Sequence, residues 1–183
     1  MTMPTFIDSV LVNATPLTAL ATGVNSINSL LTGAVAPRAY VPTSTAKITS
    51  NKSISNNSDT VVTFDSAGVN NDTMWTAAVN HFTIKTAGVY VAWAQCHFSA
   101  NATGVRSCHI MLNGTSPTSN SVAAAARNAF PSGDGSFFVA VSPPLSLAVN
   151  AQLFFSVFQN SGGALNLDTV DSGAFMGVLR IGS

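Results

Sequence analysis

The chain has 183 residues, 46% hydrophobic and only 8% charged, and seven basic against seven acidic side chains leave it formally neutral. That length accommodates one core-bearing domain with a small appendage, and its polarity must rest on Ser, Thr and Asn rather than on a charged shell. A sequence pI near 6.8 without a basic cluster offers nothing to neutralise a run of phosphates, so no nucleic-acid partner is expected.

Every acidic residue is Asp and Lys is scarce, which removes the residues that dominate long exposed helices and points to β structure. The opening MTMPTFIDSV lacks the basic and apolar regions of a signal peptide, and no apolar run reaches membrane-spanning length. Neither Sec export nor membrane insertion is expected. Two cysteines are too few for a disulfide scaffold or a zinc cluster.

The first predicted element is a helix over TPLTALATGVNSINSLLTG, residues 15–33, with Thr15 and Pro16 as N-cap and first turn and Gly33 as the stop. Leu17, Leu20, Val24, Ile27 and Leu31 step by three and four, a heptad seam whose Leu and Ile positions favour trimers or tetramers. Burying five such side chains at about 1.5–3 kcal/mol each barely offsets ordering the backbone at about 1–2 kcal/mol per residue. The seam is marginal alone and is expected to hold only where another part of the chain gathers the copies.

Residues 34–60, with Pro37, Pro42 and a polar run, are expected to be an extended connector. From residue 61 the period changes to two. TVVTFD, HFTIK, GVYVAWAQCHFS, RSCHIMLNG, GSFFVAVS, LSLAV, QLFFSVFQ and AFMGVLRI are short runs rich in Val, Phe and Ile between Asn, Gly, Ser and Pro clusters. Such a pattern predicts a sandwich, jelly roll or barrel. The Ala-rich SVAAAARNAF, residues 121–130, reads as a strand or ordered loop, and GDGS at 133–136 as a turn.

If ANATG at 100–104 is a hairpin turn centred on residue 102, Cys96 lies opposite Cys108. Parity then puts Tyr90, Ala92, Ala94, Cys96 and Phe98 on one face, and Val91, Trp93, Gln95, His97 and His109 on the other. Both faces are largely apolar, so a second sheet is expected to cover one and a neighbouring subunit the other. Directly paired strands fit a disulfide poorly, and a chain that is not exported stays in a reducing cytosol, so two free, buried thiols are expected.

The chain resembles the C1q and tumour-necrosis-factor superfamily, ten-stranded jelly rolls that assemble as trimers. The likeness is carried by Phe64, Asn70, Asn71 and Trp75 in TFDSAGVNND..W, by Phe82, Gly88 and Tyr90 in HFTIKTAGVYVAW, and by Phe175, Gly177 and Leu179 in AFMGVLRI. It implies an all-β, C1q/TNF-like jelly-roll sandwich in which Val91, Trp93, Gln95 and His97 point at a threefold axis, joined by Phe175, Leu179 and Ile181. Where the family has Gly-Asp before its penultimate strands, this chain has Asn150-Ala151, and no collagen-like stalk is present. VFQNSGGALNL, residues 157–167, is similar to microbial and bacteriophage members, and FIDSVLVNATPLTALATGVNSINSL is similar to the openings of actinobacteriophage minor tail and head-fibre proteins.

A ring of three His97 imidazoles, with His109 nearby, is weighed as a metal or anion site against a hydrogen-bonded polar layer beside Gln95, and the polar layer is the expectation. His81 reads as a surface residue. Six Asn-x-Ser/Thr sequons, at Asn13, Asn51, Asn56, Asn71, Asn101 and Asn113, are expected to be unmodified. No nucleophile elbow, carboxylate pair, phosphate loop or zinc motif is found, so neither an enzyme nor a cofactor is expected.

The expectation is therefore a virion attachment segment with a short helix at 1–33, a linker at 34–60 and a jelly roll at 61–183. The protein would be assembled in the host bacterial cytoplasm as a homotrimer and carried on the virion surface. Its N-terminus would hold capsid or tail proteins, and its outer surface a host glycan. The competing expectation is a secreted cellular C1q-like trimeric ligand or lectin.

Overall fold

The structure, a computed structural model, describes residues 41–128, 135–170 and 173–183, so the helical seam of Leu17, Leu20, Val24, Ile27 and Leu31 lies outside the described residues. In chain order the strands are β1 (Thr43–Lys47), β2 (Lys52–Ile54), β3 (Thr60–Val61), β4 (Ser66–Asn70), β5 (His81–Thr83), β6 (Gly88–Phe98), β7 (Val105–Leu112), β8 (Ser121–Asn128), β9 (Ser136–Val141), β10 (Leu145–Leu147), β11 (Gln152–Gln159), β12 (Leu165–Leu167) and β13 (Phe175–Gly182). A single helical turn, α1 (Pro117–Asn120), precedes β8.

The strands form two antiparallel sheets. In the first, β13 and β12 flank the long β6 on one side and β9 and β10 on the other, with β1 and β4 beyond β13 and β2 beyond β12. The second runs β8, β7, β11, and then β3 and β5 on the far side of β11. Period-two alternation closes the sandwich. Tyr90, Ala92, Ala94, Cys96 and Phe98 of β6 are fully buried and meet Cys108, Ile110, Leu153, Phe155 and Val157 of the second sheet. Phe64 stacks on Phe155 with ring centroids 6.3 Å apart, and Phe98 meets Phe138 edge-on at 6.1 Å.

Two expectations are corrected. The connector expected at 34–60 gives way to sheet structure from Thr43 onward, because Ser44, Ala46, Ile48 and Ile54 alternate inward and β1 fits between β13 and β4. Its small Ser, Thr and Ala side chains disguise a strand as a linker. The hairpin expected between β6 and β7 is also absent: each strand belongs to a different sheet, and residues 99–104 form a crossover. Arg106, wholly buried, donates from its guanidinium to the carbonyls of Asn101 and Thr103 at 2.9 and 3.0 Å, and Gly104 turns the chain at φ +83°. These contacts carry the chain out of β6 and into β7 as the neighbour of β11 and β8.

SVAAAARN forms strand β8. The Asn150-Ala151 turn keeps a left-handed residue without glycine, since Asn150 adopts φ +70° and its N–H donates to Ile84 at 2.8 Å. Asn70 and Asn71 fix the entry of the domain. The Asn70 side-chain oxygen accepts from Ser44 Oγ at 2.7 Å while its Nδ2 donates to the Trp75 carbonyl, and the Asn71 oxygen accepts from the Thr43 N–H.

Candidate functional site

Because β6 buries its even-numbered residues, its odd-numbered ones point away from the core, and the antiparallel register aligns neighbours beside them. On β13, Leu179 lies opposite Val91, Gly177 opposite Trp93 and Phe175 opposite Gln95. On β9, Val141, Val139 and Phe137 lie opposite Trp93, Gln95 and His97. The outer face of the first sheet thus carries Val, Trp, Phe and Leu side chains with Gln95 as its polar centre.

Phe137, Val139 and Val141 remain 39%, 49% and 57% exposed, and this valine and phenylalanine ridge borders the half-buried Val91 and Trp93. Gly177 lets the Trp93 indole lie flat across β13, since a Cβ there would collide with the six-membered part of the ring. Ile181 departs from the face register as the extra residue of a bulge between Arg180 and Gly182, and is 52% exposed. Across the sheet from the ridge, Thr45, Lys47, Gly68 and Phe175 line an open depression of about 360 Å³. Lys47 is the charged group at that margin.

His97 closes one end of the face. Its Nδ1 lies 2.6 Å from Asp168 Oδ1, and the carboxylate also accepts from Ser99 Oγ at 3.2 Å and the Val170 N–H at 3.2 Å. The imidazole is therefore oriented by Asp168, whereas Gln95 Nε2 turns to the Gly173 carbonyl. His109 does not join it, contrary to the shared face expected from the hairpin. It lies on the outer side of the second sheet between Ser107 and Ser121, and burial holds its imidazole below the ordinary histidine range although Asp59 pulls the other way. His81 is half-buried against Phe154 with centroids 4.9 Å apart. Among the described residues no group of three or more His, Cys or Asp side chains is close enough to hold a metal, and no helix is long and apolar enough to cross a membrane.

Cys96 and Cys108 are both free and fully buried, facing each other from opposite sheets rather than across a hairpin. Sequence reasoning missed the β9 ridge, whose alternation in SFFVAV gives the signal, and missed Asp168, which stands 71 positions from His97 and gives none.

No family model and no curated protein matches the sequence. Among solved structures, Eiger TNF from S. frugiperda matches with a TM-score of 0.56 at 11% identity, over 78% of this chain and 94% of that one. Murine APRIL at pH 5.0 matches with a TM-score of 0.57 at 14% identity, over 76% and 98%. The fold is a TNF-like jelly roll. Among the described residues, the long sheet built on β6 presents one broad apolar outer face, and the second sheet presents none of comparable character.

Proposed function

We propose that this jelly roll is a homotrimeric structural and binding protein of a tailed bacteriophage virion. The observation that carries self-association is the outer face of β9, β6 and β13. Its ridge is already one-third to two-thirds exposed, and each Val or Phe side chain there contributes about 1.5–3 kcal/mol when fully covered. Contiguous apolar surface of this kind marks an interface. The ridge on β9 and the depression beside β1 and β4 lie at opposite margins of the face. A ridge that fits a depression on the next copy closes a ring, in keeping with threefold symmetry.

The virion placement is supported by the likeness of residues 157–167 and of the N-terminal stretch to bacteriophage proteins. Residues 1–33 would attach the protein to capsid or tail, and the jelly roll would face outward. Three weak sites engaged together on a repetitive host glycan would hold by avidity, without catalysis. Mounted on the head, the protein is a decoration or head fibre; mounted on the tail, it is an adhesin.

Labelling purified particles with an antibody to this chain tests the reading. Signal on the head or at the tail tip supports it and separates the two positions. Particles without signal, together with secretion of the protein by uninfected cells, would replace it with the cellular C1q-like ligand.

A further inference from the structure

Cys96 projects into the core from β6 and Cys108 from β7, and neither is exposed to solvent. The crossover 99–104 ties these strands together, and β6 and β7 approach within 8 Å between Cα atoms. The two thiols lie in the same buried core and face each other from opposite sheets. Cysteines directly paired in one sheet fit a bridge poorly, but opposed sheets aim their Cβ atoms at each other, as in sandwiches stapled from sheet to sheet.

We propose that Cys96 and Cys108 are a latent disulfide site, a reversible modification that staples the two sheets once the folded protein meets a peroxide. The inference is independent of the virion and trimer readings. Burial, with the neighbouring sulfur adding to it, pushes the Cys96 thiol well up, whereas that sulfur and the Ala125 backbone draw the Cys108 thiol down. One of the two sulfurs attacks as its thiolate. That thiolate displaces hydroxide from hydrogen peroxide, giving a sulfenic acid, and the other cysteine's sulfur then displaces water from it to form the S–S bond. Two thiols and one peroxide give one disulfide and two waters. Local opening of the buried pair sets the pace.

The experiment treats the reduced, full-length protein with hydrogen peroxide, removes the excess, and alkylates under denaturing conditions without reductant. Expected are a chain that takes up no alkyl group, a mass lower by two hydrogens, single-chain migration on a non-reducing gel and a melting midpoint raised by on the order of 5–10 °C. Dithiothreitol should restore both alkylation sites and the original midpoint. Cys96→Ala and Cys108→Ala should each abolish the rise, and the dithiothreitol reversal in the unaltered chain decides the matter even where a variant does not fold. Uptake of two alkyl groups after peroxide, oxygen addition without a bridge, or linkage between chains would overturn the proposal.

Discussion

The outer faces of the two sheets obey the same alternation yet end in opposite states. On the second sheet, Ser107 and Ser156 lie beside His109, small Ala124 and Ala126 stand on the edge strand, and the large residues are already sheltered, with Met111 fully buried and Phe154 packed against His81. On the first sheet, Phe137, Val139 and Val141 stand out into solvent beside Trp93 and Val91. Among the described residues, one face is sheltered and the other stands open to solvent. Alternation alone decides which residues leave the core; their size and the presence of a neighbour decide whether that surface needs a partner.

The sharpest way to break this contrast is to place one charge on each face. Val139→Asp should disperse the assembly, weakening association by at least about 30-fold, the effect of losing about 2 kcal/mol at a central contact, read as a fall in mass to one chain by light scattering. Ala124→Asp, on the exposed outer side of β8, should leave the mass unchanged. Next in size, Gly177→Val should drive the Trp93 ring off β13, costing about 1–3 kcal/mol of stability and shifting the tryptophan emission.

A change remote from both faces sharpens the contrast from the other side. Arg106→Leu leaves the Asn101 and Thr103 carbonyls without their donor, so the urea midpoint should fall by the equivalent of about 1–3 kcal/mol while the assembled mass of the folded protein is kept.

The smallest effects are those of pH. Burial of Asp65 pushes its carboxyl up, but donation from Lys52 at 2.6 Å and from Thr49 outweighs it and holds the group below the usual carboxylate range. The stability it contributes is present above the unfolded value and is lost as pH falls through the folded one; for so exposed an ion pair it amounts to about 1 kcal/mol or less. Burial of His109 works at higher pH. Its folded value lies below its unfolded one, so stability declines as pH falls below about 6.5, where the unfolded chain takes up the proton first, and levels off once the folded imidazole is also charged. Melting midpoints between pH 7 and 3 should show both steps; burial lowers His81 in the same way, so His109→Gln should shrink the upper step, and replacing both imidazoles should remove it.

What was legible in the sequence was local. The alternation of GVYVAWAQCHF separates Tyr90 from Trp93 unaided, and the Val- and Phe-rich runs announce a β sandwich. Partner choice was not legible, because strands of either sheet show the same period. The polar run at 100–104 reads as a hairpin until Arg106 is seen bonded to its carbonyls. Strand β1 was hidden by its hydroxyl side chains, and the Asp168 carboxylate that orients His97 by a separation no local pattern reports.

The central claim is that a single copy leaves the β9–β6–β13 face unfinished and that further copies complete it. Sedimentation velocity over a dilution series from micromolar to nanomolar tests this most directly. The account predicts three times the 18.8 kDa chain mass at the upper end, with any dissociation on dilution accompanied by loss of cooperative melting. A single chain that sediments alone at every concentration and still melts cooperatively would contradict it.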